Sequence, residues 1–394
     1  MNSPVSLDEF ISSQVSSRAC QPIKLKEPVP LADLHTPALV IDQDVMQANL
    51  GNMQTHLNAH GIGLRSHTKM HKCPIIAKLQ MDAGAIGICA ATVSEAEVMQ
   101  AFGIDKILIT SPVTTREKIA RVLHLASTND QLQIVVDHAA AADGLNQAAA
   151  GVGVTLQILI DLDPEMGRTG VELGTPALKL AQHIRDRCDH LRFSGLQCYA
   201  GHCMHIHGFE ERRSRYRQIL AKGLATRDLL VANDFAVPAF SGGGTGTYDI
   251  EPEIGGITDL QAGSYLFMDV EYRDIGGRDS ERFLDFEPSL FVLVTAISQP
   301  QKRLITVDAG YKAFASDTVH PQFRDIEGAQ FHWGGDEHGI IELGNPSREI
   351  NLGDKLAMIT SHCDPTVNLY DYYFPYRKGM VEEIWPIAAR GRSQ

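Results

Sequence analysis

The chain has 394 residues, 44% of them hydrophobic, and its 35 Lys and Arg against 48 Asp and Glu give a formal net charge of -13. An acidic chain without a long basic run is a poor match for nucleic acid or an anionic membrane, and no apolar run approaches the roughly 20 residues that span a bilayer. The composition favours an acidic enzyme that acts on small molecules, and the length allows more than one domain.

The cysteine usage predicts a reducing compartment. The seven cysteines are odd in number and widely spaced, and no CxxC occurs, which favours free thiols in the cytoplasm over a disulfide framework. The N-terminal segment is acidic and has no apolar core, so a signal peptide is not expected. Residues 1–35, which include Pro22, Pro28 and Pro30, are predicted to form an arm with little regular structure.

A strand is predicted at 36–42 and a helix at 45–59, and a regular alternation follows. Eight strands over about 210 residues, most of them followed by a helix, have the count and size of a closed (β/α)8 barrel. A doubly wound sheet would place a glycine fingerprint after its first strand, whereas the glycine cluster here follows the seventh. The predicted barrel strands are residues 63–68, 86–90, 106–111, 132–137, 155–161, 191–199, 236–241 and 259–268, and the helices are 74–83, 93–102, 115–126, 139–150, 175–188 and 209–230.

The pattern changes after residue 272. Strand-like runs separated by Gly, Pro, Asn and Asp, with no long helix between them, predict an antiparallel β domain. We therefore expect an α/β chain with three parts: an arm and a strand of the β domain over 1–43, the barrel over 44–271, and the β domain over 272–394. The predicted strands are residues 290–297, 302–308, 331–333, 339–343, 355–361 and 380–387.

The stretch RSHTKMHK at 65–72 lies where the first barrel strand ends, and barrel active sites lie at such ends. If residues 64–69 are extended, Arg65, His67 and Lys69 share one face. Lys69 is then a candidate for amine chemistry at the barrel mouth. Lys72 lies past the strand and is expected to be a solvated residue at a helix start. The alternative is a basic surface turn.

Two further segments point to one anionic ligand. Consecutive glycines can turn backbone N–H groups toward a phosphate, and barrel phosphate sites lie after strands seven and eight. A lysine facing a phosphate site suggests pyridoxal 5'-phosphate, and Arg168, after strand five, could stack on or bond its ring. An ordinary glycine-rich loop and a surface arginine are the alternatives. The predicted phosphate residues are Ser241, Gly242, Gly243, Gly244, Thr245, Gly263 and Ser264.

A second site is predicted in the β domain. In extended chain His362 and Asp364 point the same way, and one imidazole with one carboxylate suits a divalent ion such as Mn²⁺ or Mg²⁺. The alternative is a polar turn before Pro365. The polar cluster at 336–339 is expected to lie around such a site or at an interface.

These segments together resemble the D-threonine aldolase and D-3-hydroxyaspartate aldolase family. That family belongs with D-serine dehydratases and alanine racemase among the fold-type III pyridoxal-phosphate enzymes. The matching motifs are RSHTKMHKCP (65–74), VSEAE (93–97), MGRTGV (166–171), SGGGTGT (241–247), LQAGSYLFMD (260–269), VDAGYKA (307–313), DEHG (336–339) and HCDPTVNLYD (362–371).

The resemblance implies an alanine racemase-like barrel with a β domain, and a homodimer. It puts Lys69 at the position of the lysine that binds the cofactor covalently, with His67 beside it. It puts Arg168 and Tyr199 at the ring. Residues 242–245 fall at the phosphate site, and the metal positions fall on the histidine and aspartate of the HCD motif.

The resemblance also implies retro-aldol cleavage of a D-β-hydroxy-α-amino acid, D-threonine or similar, to glycine and an aldehyde. The expected proton acceptor is His205 or a water molecule. Open alternatives are D-3-hydroxyaspartate as the substrate, dehydration by β-elimination, racemisation, and a carrier of the cofactor without catalysis. Dehydratase relatives tend to carry Cys where Asp364 stands, which favours the aldolase. Ala91-Thr92 and Met204 depart from the family pattern near the mouth.

Overall fold

The computed structural model describes residues 21–394, so residues 1–20 of the arm predicted at 1–35 lie outside the described residues. The first strand, β1 (Ile23–Pro30), pairs antiparallel with the last strand of the chain. The expectation of little regular structure before residue 36 is therefore wrong for this segment. Pro28 is tolerated because β1 is an edge strand whose register shifts between Lys24 and Val29.

The next two elements match the prediction. Strand β2 (Ala38–Asp42) is almost wholly buried and leads directly into helix α1 (Gln43–Ala59). The Asp42 carboxylate accepts a hydrogen bond from Val45 N at 3.3 Å, which caps the first turn of the helix. The sequence patterns at 36–42 and 45–59 are thus confirmed.

Eight parallel strands then close into a barrel, as predicted. The last two are shorter than expected, because Pro238 lacks an N–H for the ladder and the chain turns into short 3₁₀ helices at Thr245–Thr247 and Ser264–Leu266. The barrel strands are β3 (Gly63–His67), β4 (Gly87–Ala90), β5 (Ile107–Ile109), β6 (Gln133–Val136), β7 (Leu156–Asp163), β9 (Leu191–Cys198), β10 (Phe240–Gly242) and β11 (Asp259–Leu260), and β8 (Val171–Glu172) pairs with β7 outside the ring.

Helices follow most of the barrel strands. Thr92 and Thr115 accept hydrogen bonds from backbone N–H groups three residues on, which fixes where two of these helices begin. The helices are α2 (Pro74–Asp82), α3 (Val93–Ala101), α4 (Arg116–Ala126), α5 (Ala139–Val152), α6 (Thr175–Arg187), α7 (Phe209–Val231), and the short α8 (Glu251–Ile254) and α9 (Val270–Arg273).

A second sheet contains β1, β2 and the strands of the C-terminal part. Its pairs are antiparallel except β2 with β18, which is parallel. Strands β14 and β18 were not predicted; β14 has only two residues, and β18 contains Pro375. The elements are β12 (Leu290–Gln301), β13 (Leu304–Val307), β14 (Gln322–Phe323), β15 (Ala329–Trp333), β16 (Gly339–Leu343), β17 (Lys355–Ile359), β18 (Tyr372–Arg377) and β19 (Met380–Pro386), with helix α10 (Cys363–Val367) between β17 and β18.

The loop after β17 is tied to the end of the barrel. Val270 N donates to Thr360 O at 3.0 Å, and the Asp269 carboxylate accepts from Cys363 N at 2.8 Å. The other oxygen of Asp269 accepts from Tyr272 N and caps α9. These contacts bring the segment with His362 to the barrel mouth.

The segment at 65–72 departs from the extended chain that we expected. Strand β3 ends at His67, and Thr68–Met70 form a 3₁₀ turn that carries Lys69. The expectation of a solvated Lys72 is wrong. Lys72 has φ +51° and is buried, and its Nζ lies 2.6 Å from the Glu95 carboxylate, so it forms an interior ion pair between β3 and α3.

Replacing Lys72 by Met should lower the free energy of unfolding by about 3 kcal/mol, because it leaves the buried Glu95 carboxylate without its partner charge. The matched control is Lys78→Met, which breaks an exposed pair with Asp82 and should cost less than about 1 kcal/mol. Urea unfolding of both variants beside the wild-type protein measures the difference. Equal effects would contradict an interior role for Lys72.

Candidate active site

A cavity of about 260 Å³ opens at the carboxyl ends of the barrel strands. It brings together eight residues that the sequence singled out, from strands far apart in the chain. They are His67, Lys69, Arg168, Tyr199, Gly244, Thr245, Gly263 and Ser264. The wall also contains Met70, Ala91, Thr110, Ser111, Thr169, Gln197, Gln261 and Tyr272.

Lys69 extends its amine toward the second sheet. Its Nζ lies 3.3 Å from Asp364 Oδ1, and its side chain is 45% exposed, so the amine is accessible from the cavity. The neighbouring Asp364 carboxylate raises the pKa of Lys69. Burial alone would raise the pKa of Asp364, but the Lys69 ammonium and the His362 imidazole hold it below its usual value.

His67 is a neutral imidazole beside this amine. Its Nδ1 accepts a hydrogen bond from Lys69 N at 3.4 Å, so its Nε2 carries the proton that faces Thr110 Oγ1 at 3.3 Å. Burial, followed by the positive charge of Lys69, lowers the pKa of His67 to about 3. An uncharged imidazole therefore lines the cavity beside Lys69.

Arg168 and Tyr199 lie next to each other at the mouth. The Arg168 guanidinium carbon lies 5.5 Å from the centre of the Tyr199 ring, a cation–π distance. The loop before Arg168 is held by Asp163, whose carboxylate accepts from the backbone N–H of Met166 at 2.7 Å and of Gly167 at 3.0 Å. Both predicted ring contacts thus lie on one side of the cavity.

Only the second half of the glycine segment faces the cavity. Ser241 lies inside the barrel, donates to Asp259 Oδ1 and accepts from Gln261 Nε2. Gly242 and Gly243, with φ +62° at the latter, carry the backbone round the turn. Of the seven predicted phosphate residues, four line the cavity, namely Gly244, Thr245, Gly263 and Ser264, and the other three do not.

The turn rests on a buried acid. Glu251 is fully buried, and its Oε1 accepts from Thr247 Oγ1 at 3.1 Å and from the Tyr216 hydroxyl. Burial raises the pKa of Glu251 to about 8, with the two hydrogen bonds opposing the shift. Close packing here also restricts the loop, since a Cβ on Gly244 would lie 2.8 Å from Met204 Sδ. Met204 thus supports the loop.

The HCD motif lies beside Lys69. His362 Nε2 is 3.9 Å from Asp364 Oδ2, a gap that one ion with bonds of about 2.1 Å can span. The other ring nitrogen, Nδ1, bonds Asp317 Oδ2 at 2.8 Å. Burial lowers the pKa of His362, but the carboxylates of Asp364, Asp269 and Asp317 raise it above its usual value.

Two neighbouring side chains have a buried polar atom whose hydrogen bonding is incomplete. Within residues 21–394, His205 Nδ1 and Glu271 Oε2 are buried atoms without a hydrogen-bond partner. Glu271 lies between the two imidazoles, with Oε1 3.2 Å from His205 Nδ1 and Oε2 3.9 Å from His362 Nδ1. Such unsatisfied atoms around His362 and Asp364 fit a site completed by a cation and its ligands.

Sequence reasoning missed Glu271 and Asp317. Glu271 follows the LFMD motif by two residues and could have been found from that spacing. Asp317 lies in an irregular segment 45 residues before His362, and only the folded chain joins them. A larger cavity of about 840 Å³ lies in the second sheet, among Arg273, His320 and Arg324, and contains none of the predicted site residues.

Comparisons with known proteins agree with this fold. The family model for the alanine racemase N-terminal domain matches residues 41–269, more than half of the chain, and a serine dehydratase domain model matches residues 289–376. A D-threonine aldolase from an Arthrobacter species is 38% identical over 93% of this chain and 95% of its own length. The chain belongs to the D-threonine aldolase family of alanine racemase-like proteins.

Two other relatives support the assignment. A 3-hydroxy-D-aspartate aldolase from Paracoccus denitrificans is 35% identical over 92% of this chain and 93% of its own length. The crystal structure of D-threonine aldolase from Filomicrobium marinum superposes with a TM-score of 0.89 at 34% identity, covering 94% of this chain and 99% of that one. Between residues 21 and 394, none of the helices has the length and apolar character needed to cross a membrane.

The buried acid behind the glycine turn predicts a pH effect on stability. The folded pKa of Glu251 of about 8 exceeds the ordinary value of 4.5, so the stability it confers is full below pH 4.5 and is lost as pH rises through 8. From about pH 5.5 to about pH 8.5 the wild-type protein should lose about 3 kcal/mol relative to Glu251→Gln. Urea unfolding of both proteins at each pH measures this difference.

Glu253→Gln is the matched control, since Glu253 lies in the same short helix but pairs with Arg213 at 2.6 Å and Arg278 at 2.8 Å. Burial would raise the pKa of Glu253, but the two arginines lower it below its usual value. The stability difference between the wild-type protein and Glu253→Gln should therefore not change over this pH range. If the free energies of unfolding of the wild-type protein and Glu251→Gln differ by the same amount at both pH values, Glu251 is not protonated in the interior.

Proposed function

We propose that this enzyme cleaves a D-β-hydroxy-α-amino acid, D-threonine or similar, to glycine and an aldehyde by a retro-aldol reaction. The supporting observation is that the His362–Asp364 pair lies beside the amine of Lys69, at 3.3 Å from Asp364. A cation on the pair would therefore lie close to a substrate bound near Lys69. The names of the aldolase relatives point the same way.

Pyridoxal 5'-phosphate fits the cavity. Lys69 would bind it covalently, His67 would lie against the ring, and Arg168 with Tyr199 would contact the ring from the far side. The phosphate would be held at Gly244, Thr245, Gly263 and Ser264, backed by Ser241, Gly242 and Gly243. When bound, the cofactor supplies an electron sink for the carbanion left by C–C cleavage.

A divalent ion, Mn²⁺ or Mg²⁺, fits His362 and Asp364. When bound, it supplies a Lewis acid that lowers the pKa of the substrate hydroxyl. His362 Nδ1–H donates a hydrogen bond to the Asp317 carboxylate, which leaves the Nε2 lone pair directed toward Asp364. Oxygen and nitrogen donors without a thiolate favour these harder ions over softer ones.

Asp364 couples the two halves of the site. Its carboxylate raises the pKa of Lys69 and so favours the charged amine, which is not a nucleophile. Neutralising that carboxylate removes the main cause of the raised Lys69 pKa. We infer that binding of a cation at Asp364 favours the neutral amine that cofactor and substrate exchange require.

His205 is the proposed acceptor of the hydroxyl proton. Burial, followed by the nearby His362, lowers the pKa of His205 to about 4, so the ring is neutral at neutral pH and has a lone pair that can accept a proton. Glu271 Oε1 lies 3.2 Å from His205 Nδ1 and would stabilise the imidazolium once the proton arrives.

β-Elimination is the second candidate, and the match of residues 289–376 to a serine dehydratase domain favours it. The aldolase remains preferred because Asp364 stands where dehydratase relatives tend to carry Cys. The adjacent thiol does not substitute, since Cys363 is fully buried and its Sγ is directed at Met268 O at 3.4 Å. Racemisation stays a remote alternative, and D-3-hydroxyaspartate a possible substrate.

We further propose a homodimer and a cytoplasmic location. Both rest on the family resemblance and on cysteine usage. Five cysteines in the described part of the chain, Cys89, Cys188, Cys198, Cys203 and Cys363, are buried free thiols, which is compatible with a reducing compartment. Size-exclusion chromatography with light scattering measures the oligomeric state.

The reaction type is tested with D-threonine and Mn²⁺. Glycine and acetaldehyde should form in equal amounts, and EDTA should suppress both until Mn²⁺ is restored. Lys69→Ala should abolish activity and the cofactor absorbance at the boundary of the visible and ultraviolet. Ammonia with a keto acid would show elimination instead, and a surviving absorbance band would show that another lysine binds the cofactor.

Asp317 gives a separate test of the metal proposal. Asp317→Asn should weaken Mn²⁺ binding by about 10–100-fold, because the His362 ring loses the carboxylate that orients it. Titration of free Mn²⁺ by electron paramagnetic resonance measures the affinity without turnover. Asp186→Asn, which alters an exposed pair with Arg185 on α6, is the control and should leave binding unchanged. Equal affinity in the two variants would remove Asp317 from the site.

A further inference from the structure

A second group of possible metal ligands lies on the outside of the barrel. Asp143 comes from α5, His183 from α6, and Cys188 is the residue that ends α6. One ligand atom of each lies within 4.8 Å of the other two. His183 Nε2 is 2.6 Å from Asp143 Oδ1, and Cys188 Sγ is 3.9 Å from the same oxygen.

The three side chains run from the surface inward. The Asp143 side chain is 56% exposed and that of His183 is 24% exposed, whereas Cys188 is 1% exposed. A divalent ion bound here would take Cys188 as the thiolate, because a coordinated thiol gives up its proton.

We propose that Asp143, His183 and Cys188 form a metal site that binds one zinc-like ion and joins α5 to α6. On binding, the Cys188 thiol releases its proton to solvent and a metal–sulfur bond forms. His183 binds through Nε2 and Asp143 through Oδ1, with water in the fourth position. Asp143 Oδ1 lies 2.6 Å from His183 Nε2 and 3.9 Å from Cys188 Sγ, and the separations of neighbouring ligand atoms in a tetrahedral zinc site fall between these two distances. Small side-chain rotations therefore suffice to form the site.

The ligand set separates this site from the one at the barrel mouth. One sulfur, one imidazole and one carboxylate favour Zn²⁺ or Co²⁺, whereas the His362–Asp364 pair has no sulfur and favours harder ions. Asp143, His183 and Cys188 are also the group, among the described residues, whose three ligand atoms lie within 4.8 Å of one another, close enough to bind a single ion.

The location indicates a structural role. Cys188 precedes β9, whose first residue is Leu191, so the site lies at the end of the barrel opposite the mouth. The same region is already joined by His190 N, which donates to the side chain of Asn146 on α5 at 2.9 Å. A metal here would link α5, the end of α6 and the entry to β9 without touching the cavity.

The test uses the His362→Ala enzyme, so that the mouth site does not compete for metal. After chelation and addition of one equivalent of Zn²⁺, X-ray absorption at the zinc edge should show one sulfur neighbour at about 2.3 Å with nitrogen or oxygen neighbours at about 2.0–2.2 Å. The protein should keep this zinc through gel filtration and should melt at a higher temperature than the zinc-free form.

Cys188→Ser in the same background should remove the sulfur signal, and Asp143→Asn, an exposed and mild change, should weaken zinc binding at least about tenfold. Cys89→Ala, which alters a buried thiol among Leu108, Val135 and Leu159, is the matched control and should retain the signal. The proposal is overturned if the protein does not retain zinc, or if the sulfur neighbour persists in Cys188→Ser. Asp143 and His183 would then form a hydrogen bond and no metal site.

Discussion

The geometry of the mouth depends on one buried carboxylate. Asp269 is fully buried where the barrel ends, and its two oxygens accept hydrogen bonds from two different parts of the chain. One bond, from Tyr272 N at 2.9 Å, starts the short helix that carries Glu271, and the other, from Cys363 N at 2.8 Å, fixes the residue between the two metal-ligand candidates. A single side chain thus sets the position of the HCD motif relative to the amine of Lys69.

Around this anchor the site combines one strong charge pair with neutral imidazoles. Lys69 and Asp364 shift each other's pKa toward the charged forms, whereas burial keeps His67 and His205 uncharged. Neutral rings can pack on a flat cofactor and accept protons, and the charged pair can be rearranged by a cation. The division of roles follows from how deeply each group is buried and from which charges lie next to it.

The sequence predicted the barrel well, because Val, Ile and Leu runs alternate with capped helices and each unit is local. Lys69 could be placed at the mouth by counting strands. The partners of these residues could not be predicted. Lys72 pairs with Glu95 through a left-handed backbone conformation, Ser241 turns inward to Asp259, and Asp317 reaches His362 across 45 residues. Such contacts depend on tertiary packing, for which local patterns carry no signal.

The neighbours of β2 have a consequence for biosynthesis. This strand, complete by residue 42, pairs with β12 from residue 290 onward and with β18 from residue 374 onward. The barrel strands, by contrast, pair mainly with strands adjacent in the chain and close once β11 has emerged. Pairings of long sequence separation form late, so a nascent chain acquires the half of the site with the lysine before the half with the HCD motif. Until β18 inserts beside it, one edge of β2 is an unpaired strand edge open to pairing with other chains.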